Sequence, residues 1–188
     1  SKPIKISNTK KLRFYAQIDT VKSQVSEALF YELSSNRKVI ELSEYTNQYS
    51  AGGDQALVDM VRGARNFRTG AWQGFEGKDL LAVIDLGFNQ TINRLGLSCI
   101  QDQDTWIFMP QEVVYEISLD KVNWETVATI PNDLDYKTSG AFLKEFTTDV
   151  WKTARFIRIR AVNIGVCPDW HLGAGGKAWI FADELVIE

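Results

Sequence analysis

The chain has 188 residues, with 21 basic and 24 acidic side chains and a formal net charge of −3, which suits one domain, or one domain with a fragment of another. That balance argues against a phosphate-backbone partner: basic stretches such as "RFIRIR" are short and interleaved with apolar residues, so no nucleic-acid partner is expected. No apolar run is long enough to span a bilayer, so a membrane association is not expected, and the opening "SKPIKI" starts in mid-pattern without a signal peptide.

Short apolar-alternating runs recur along the chain: "KLRFYAQI" (11–18), "EALFYEL" (27–33), "KVIEL" (38–42), "LLAVIDLG" (80–87), "INRLGLSCI" (92–100), "EVVYEISL" (112–119), "WETVATI" (124–130), "FLKEFTT" (142–148), "ARFIRIRAV" (154–162) and "AWIFADELVIE" (178–188). They are rich in Val, Ile, Phe and Tyr and bounded by turn residues, which reads as strands. Tyr115, Ile117 and Leu119 share one face of their run, opposite Glu116 and Ser118, and Ile157 and Ile159 oppose Arg158 and Arg160. A period of two with one wet face implies antiparallel sheets packed on one side, hence an all-β sandwich. The sole helix candidate is "DQALVDMVRGA" (54–64). Polar and small residues over 34–50 mark a boundary. The strands before it are too few to bury a core, so 1–44 reads as the C-terminal part of a preceding small β linker module and 45–188 as the main domain.

Catalytic patterns fail one by one. Two cysteines and one histidine cannot make a four-ligand zinc site; Cys99 and Cys167 are either one disulfide or two buried thiols. Asp183 and Glu184 are adjacent in a predicted strand, so they should point to opposite faces rather than converge on one bond. "GAGGK" lacks the phosphate-loop glycine and hydroxyl residue, because His171 and Ala178 stand at those positions. Nothing supports a Cys167–His171 dyad. No catalysis is expected in this chain.

The order "ALVD…TGAW…LLAVIDLG…INRLGL…PQEVVYEISLDKVNWETVA…ARFIRIRAV…ADELVIE" resembles a discoidin domain. Such domains are also called coagulation factor 5/8 type C domains, and they overlap the family 32 carbohydrate-binding modules. Further stretches, "YSAGGDQALVDMVRG", "WQGFEGKDL", "QDQDTWIFMPQEV" and "GVCPDWHLGAGGKAWIFADE", resemble the C-terminal region of bacterial β-N-acetylhexosaminidases of glycoside hydrolase family 20. The resemblance implies an antiparallel jelly-roll β-sandwich, galactose-binding-domain-like, of about eight strands, preceded by a short N-terminal β segment. It also implies a secreted or periplasmic parent hydrolase whose catalytic domain is the partner, and a structural Ca2+ held by Asp59 and Glu184.

A sugar offers an apolar C–H face and a rim of hydroxyls, so a binding site pairs an exposed aromatic with polar side chains. Of six tryptophans, Trp106 lies in a polar loop beside Asp102 and Gln103. Trp170 and His171 open the glycine-rich loop that ends at Lys177, and "TGAWQGFEGKDL" adds Trp72 and Glu76. His171 either meets a sugar hydroxyl or pins its loop. The expectation is that these loops meet at one end of the sandwich and bind galactose, N-acetylgalactosamine or N-acetylglucosamine ends of a glycan. Two alternatives stand beside it: a packing module without sugar binding, in which Trp106 and Trp170 would be buried, and adhesion to a protein or lipid surface through a protruding "WIFMP" tip (106–110).

Overall fold

A computed structural model describes residues 10–30 and 36–188, and the chain divides into two units, Ser1–Ser35 and Asn36–Glu188. In the first, β1 (Lys10–Phe14) pairs antiparallel with β4 (Ser26–Phe30), and β2 (Gln17–Ile18) with β3 (Val21–Lys22). The end of the predicted strand 27–33 lies outside the described residues.

The second unit is built from β5 (Lys38–Leu42), β6 (Gln73–Glu76), β7 (Leu80–Asp102), β8 (Glu112–Ser118), β9 (Glu125–Pro131), β10 (Ala141–Ala161) and β11 (Trp179–Ile187), all paired antiparallel. The first half of β7 runs between β5 and the second half of β10, which continues to β8 and β9. The second half of β7 runs between β11 and the first half of β10, and β11 continues to β6. Two long strands thus belong to both layers of an all-β sandwich. The sequence splits each of them in two because residues 88–91 and 149–153 look like turns. They are instead the places where the strands pass from one layer to the other: Gly87 sits at φ 85°, Trp151 at φ 54°, and the ladder slips between Asp149 and Lys152. Most of those residues are polar and face water at the bend, Phe88 and Trp151 are exposed apolar residues there, and Val150 alone turns into the core.

Two boundaries differ from expectation. Residues 38–42, assigned to the preceding module, form β5 and pair with β7, so the sandwich begins by residue 38 rather than 45. The helix candidate 54–64 contains only a 3-10 turn, Ala56–Val58, which buries Ala56 and Leu57. Helical pairing would leave the rest of that segment unable to reach the carboxylates of β11 described below. The side chain of Gln55 accepts from the Val39 N–H and donates to its carbonyl, both at 2.9 Å, which blunts the free edge of β5.

The alternation read from β8 holds for Tyr115 and Ile117, buried with Val113 in the main core, and ends there: Leu119, expected on the same face, is exposed past the strand end, and Ser118, expected on the wet face, is buried. Tyr115 also joins the layers: its hydroxyl donates to Phe146 O at 2.6 Å and accepts from Leu97 N at 2.7 Å. Phe146 and Leu97 are partners in the β7–β10 ladder, so the phenol stands in for a missing ladder bond. Tyr115→Phe leaves a buried N–H and C=O unpaired and should cost about 2 kcal/mol in a urea melt, with the fold retained. Cys99 and Cys167 are separate buried thiols, in two different apolar clusters, so the disulfide alternative is excluded. Among the described residues no helix is long and apolar enough to cross a membrane.

Candidate functional site

Trp106 is presented by a tight turn at the end of β7. Asp102 and Ile107 exchange backbone hydrogen bonds of 3.0 and 3.2 Å, and Trp106 N donates to Gln103 O at 2.9 Å. This closure holds Trp106 at φ 69°, a left-handed conformation that costs a bulky residue energy and persists only where surroundings enforce it. Trp106 is 40% exposed.

The enforcing partner is the loop 167–178. It folds on itself: Cys167 N donates to Gly176 O at 2.7 Å, Gly175 N to Cys167 O at 3.0 Å and Ala178 N to Gly165 O at 3.0 Å. Its glycines seat the indole, since a Cβ at Gly173 would fall 2.5 Å from Trp106 Cε2 and one at Gly176 2.9 Å from Cζ3. Gly173→Ala should therefore push the indole off its seat. We expect a changed near-ultraviolet tryptophan signal, an unchanged far-ultraviolet spectrum and a stability loss of about 1–3 kcal/mol.

His171 ties the two segments together. It is 7% exposed. Its Nδ1 accepts from Gly173 N at 2.9 Å, so its Nε2 carries the proton and donates to Gln103 O at 2.6 Å. Both ring nitrogens are used within the protein. Of the two roles open to it, His171 pins its loop and does not face a ligand. Trp170, 42% exposed, packs edge-on against Phe108 and His171 and lies under Lys137 Nζ at 5.6 Å. The structure thus brings Trp106 and the Trp170–His171 corner together.

Beside Trp106 opens a cleft of about 240 Å³ walled by Tyr49, Phe67 and Trp179, with Gln48, Arg68, Asp104 and Thr105 at its rim. Tyr49 meets Trp179 and Phe67 edge-on at 5.6 and 5.8 Å, which fixes the wall. Arg68 lies over the Phe67 ring at 4.2 Å and has no ion-pair partner among the described residues. Asp104 accepts from Gln103 Nε2 at 2.6 Å and Ser139 Oγ at 2.7 Å, which orients its carboxylate. Sequence reasoning missed Tyr49, Phe67, Arg68 and Asp104. The only available signal was aromatic and basic residues in loops that otherwise read as linker.

Of the expected site residues only Trp106 lines this cleft; Trp170 and His171 stand behind it, and the remaining candidates fall elsewhere. Trp72 is a correction: at 1% exposure it is core, its Nε1 donating to Ala64 O at 3.0 Å, in a cluster with Phe67, Ile100, Ile107 and Phe181. Gln103 is likewise buried beneath the turn, and Asp102 is not among the residues lining the cleft. Glu76 and Lys177 line a different and larger groove of about 640 Å³ along β5 with Glu41, Glu44, Asp54 and Lys78; the Lys177 stem packs on Gly77. The "WIFMP" tip does not protrude: Ile107, Phe108 and Met109 are all buried.

Asp183 and Glu184 also depart from expectation. The β7–β11 ladder slips between Ala182 and Leu185, and this bulge turns both carboxylates inward. Asp183 Oδ2 accepts from Gly63 N at 2.6 Å and Glu184 Oε2 from Met60 N at 2.8 Å. They hold the 59–63 segment against β11 and are too enclosed to attack a sugar. Glu184 Oε1 is buried without a hydrogen-bond partner among the described residues. Burial pushes the Glu184 carboxyl up to about 8, helped by the neighbouring Asp59, and burial likewise raises Asp59.

Comparison with known proteins agrees with this architecture. The sequence matches no curated protein significantly. Among solved structures, a fragment described as a chitobiase from Bacteroides thetaiotaomicron superposes with a TM-score of 0.53 at 15% identity, covering 84% of this chain and 90% of that one. A CBM32 module of a family 31 glycoside hydrolase from Clostridium perfringens gives 0.50 at 18% identity, covering 83% and 92%. Residues 39–180 match the F5/8 type C domain family, and the chain belongs to that family.

Proposed function

We propose that the chain is a non-catalytic carbohydrate-binding module that takes a galactose, N-acetylgalactosamine or N-acetylglucosamine end of a glycan in the Trp106 cleft. The observation that carries this is an exposed indole, clamped in a costly backbone conformation on two glycines, beside a cleft with polar side chains at its rim. The indole offers a face to sugar C–H groups, and Arg68 and Asp104 offer a charged donor and acceptor to hydroxyls. A packing module would have buried Trp106 and Trp170, and both are exposed. The parent is a secreted or periplasmic hydrolase of β-N-acetylhexosaminidase type, and tethering the module to its catalytic domain raises local substrate concentration. Isothermal titration of folded protein against the three sugars tests this reading. We expect dissociation constants on the order of 0.1–1 mM, near −4 to −5.5 kcal/mol; no heat with any of the three would overturn it.

A structural Ca2+ at Asp59 and Glu184 belongs to the same proposal. The unpartnered, buried Glu184 Oε1 with Asp59 beside it is what a hard cation would satisfy. Among the described residues no third acidic, histidine or cysteine side chain joins them, so backbone carbonyls would complete the shell. The ion would neutralise two carboxylates and fasten the 51–63 loop to β11.

A further inference from the structure

We propose that His171 is a positioning residue that makes saccharide binding pH-dependent, holding the Trp106 platform in place only while its imidazole is neutral. The inference rests on the reading that the Trp106 cleft takes the sugar.

The geometry leaves the ring little choice. Gln103 O receives two bonds, one from Trp106 N at 2.9 Å and one from His171 Nε2 at 2.6 Å. Gly173, whose N–H donates to His171 Nδ1, is also the residue under the indole. One imidazole therefore secures both the turn that carries Trp106 and the loop on which its ring rests. Only the neutral tautomer can do both. Protonation turns Nδ1 into a donor facing the Gly173 N–H, so that bond is lost and two donors oppose each other in a buried site. The loop must then move away, and the seat of the indole moves with it.

The charged residues on the segments that meet here are Asp169 on its own loop, Asp102 and Asp104 on the Trp106 turn, Lys137 over Trp170, and Arg68 across the cleft; Lys177, at the far end of the loop, lines the β5 groove instead. None forms an ion pair with the imidazole among the described residues. Phe108 covers one side of the ring, with centroids 5.4 Å apart. Histidine is the side chain that ordinarily changes charge between about pH 5 and 8, so acidification is the relevant stimulus.

The test uses the whole chain, which has a single histidine and hence one imidazole signal to follow by NMR. Titrations with N-acetylgalactosamine, galactose and N-acetylglucosamine are run at four values between about pH 7.5 and 4.5. The dissociation constant should rise roughly tenfold per pH unit below the imidazole midpoint, because only the neutral fraction is competent. The Gly173 amide and Trp106 indole resonances should shift with that same midpoint. His171→Gln keeps a donor for Gln103 O but does not titrate, so its binding should be weaker and flat with pH. An affinity that stays level through the imidazole titration overturns the proposal, as does an unchanged pH slope in His171→Gln, which would assign the effect to a group other than the imidazole. Should that variant not fold, the wild-type resonances decide, and a Trp106 signal that ignores the imidazole midpoint overturns it. Absence of sugar binding at every pH defeats the functional reading instead, while the resonances still report on His171.

Discussion

Trp106→Ala is expected to weaken saccharide binding about a hundredfold, to the point where titration with millimolar sugar shows no heat, and to move the melting temperature by no more than a few degrees. Truncating a central aromatic anchor costs on the order of 2–4 kcal/mol of binding, and about 1.4 kcal/mol is a factor of ten. Against a starting affinity near the millimolar range, that is effectively complete loss. The fold should tolerate the change because the indole is exposed and its backbone is held by bonds that alanine keeps: Trp106 N to Gln103 O, and Trp179 N to Trp106 O, both 2.9 Å. Trp106→Phe should fall between, since a smaller ring leaves part of the Gly173–Gly176 seat empty. Arg68→Ala should weaken binding without touching that seat, through loss of the rim donor. If Trp106→Ala bound sugar as the wild type does, the cleft would not be the site.

The strands were legible because their alternation is a local property: Tyr115 and Ile117, or Ile157 and Ile159, bury one face whatever the topology. The meeting of Trp106 with the Trp170–His171 corner was also legible, since a tryptophan in a polar loop has little packing reason to be there, whereas the choice between a ligand-facing and a loop-pinning His171 needed the Gln103 O and Gly173 N contacts. What the sequence hid depends on contacts between distant segments. Trp72 looks like a loop tryptophan, yet Gly63 and Ala64 fold over it. Asp102 and Gln103 flank Trp106 in sequence, but the left-handed turn puts Asp104 at the rim and Gln103 beneath. Asp183 and Glu184 alternate on paper, and one bulge against β7 undoes the alternation. The β5 boundary was hidden because a five-residue run carries no sign of the sheet it will join.

Calcium should raise the melting temperature of the wild-type chain by about 5–10 °C and leave Glu184→Gln unmoved. At a hundred times its dissociation constant a ligand adds about 2.7 kcal/mol, and a domain of this size gains roughly 2–4 °C per kcal/mol. The substitution also separates two accounts of the buried carboxylates. Arg62 reaches Glu145 at 2.8 Å and stands 3.7 Å from Asp183, and Arg37 is close enough to Glu184 for its charge to be felt. If these guanidiniums are the cations the site was built for, calcium does nothing and Glu184→Gln destabilises the fold by removing their counter-charge. If a metal is, the order of stability inverts with the medium. In chelator the glutamine variant should equal or exceed the wild type, because it removes a carboxyl whose ionisation burial opposes. In calcium it should fall behind by the whole metal contribution. Asp59→Asn should behave alike with a smaller shift, as its carboxylate is less enclosed and already accepts from Val61 N at 2.8 Å. A chelator-insensitive wild type that melts above Glu184→Gln in both media would assign the site to arginine.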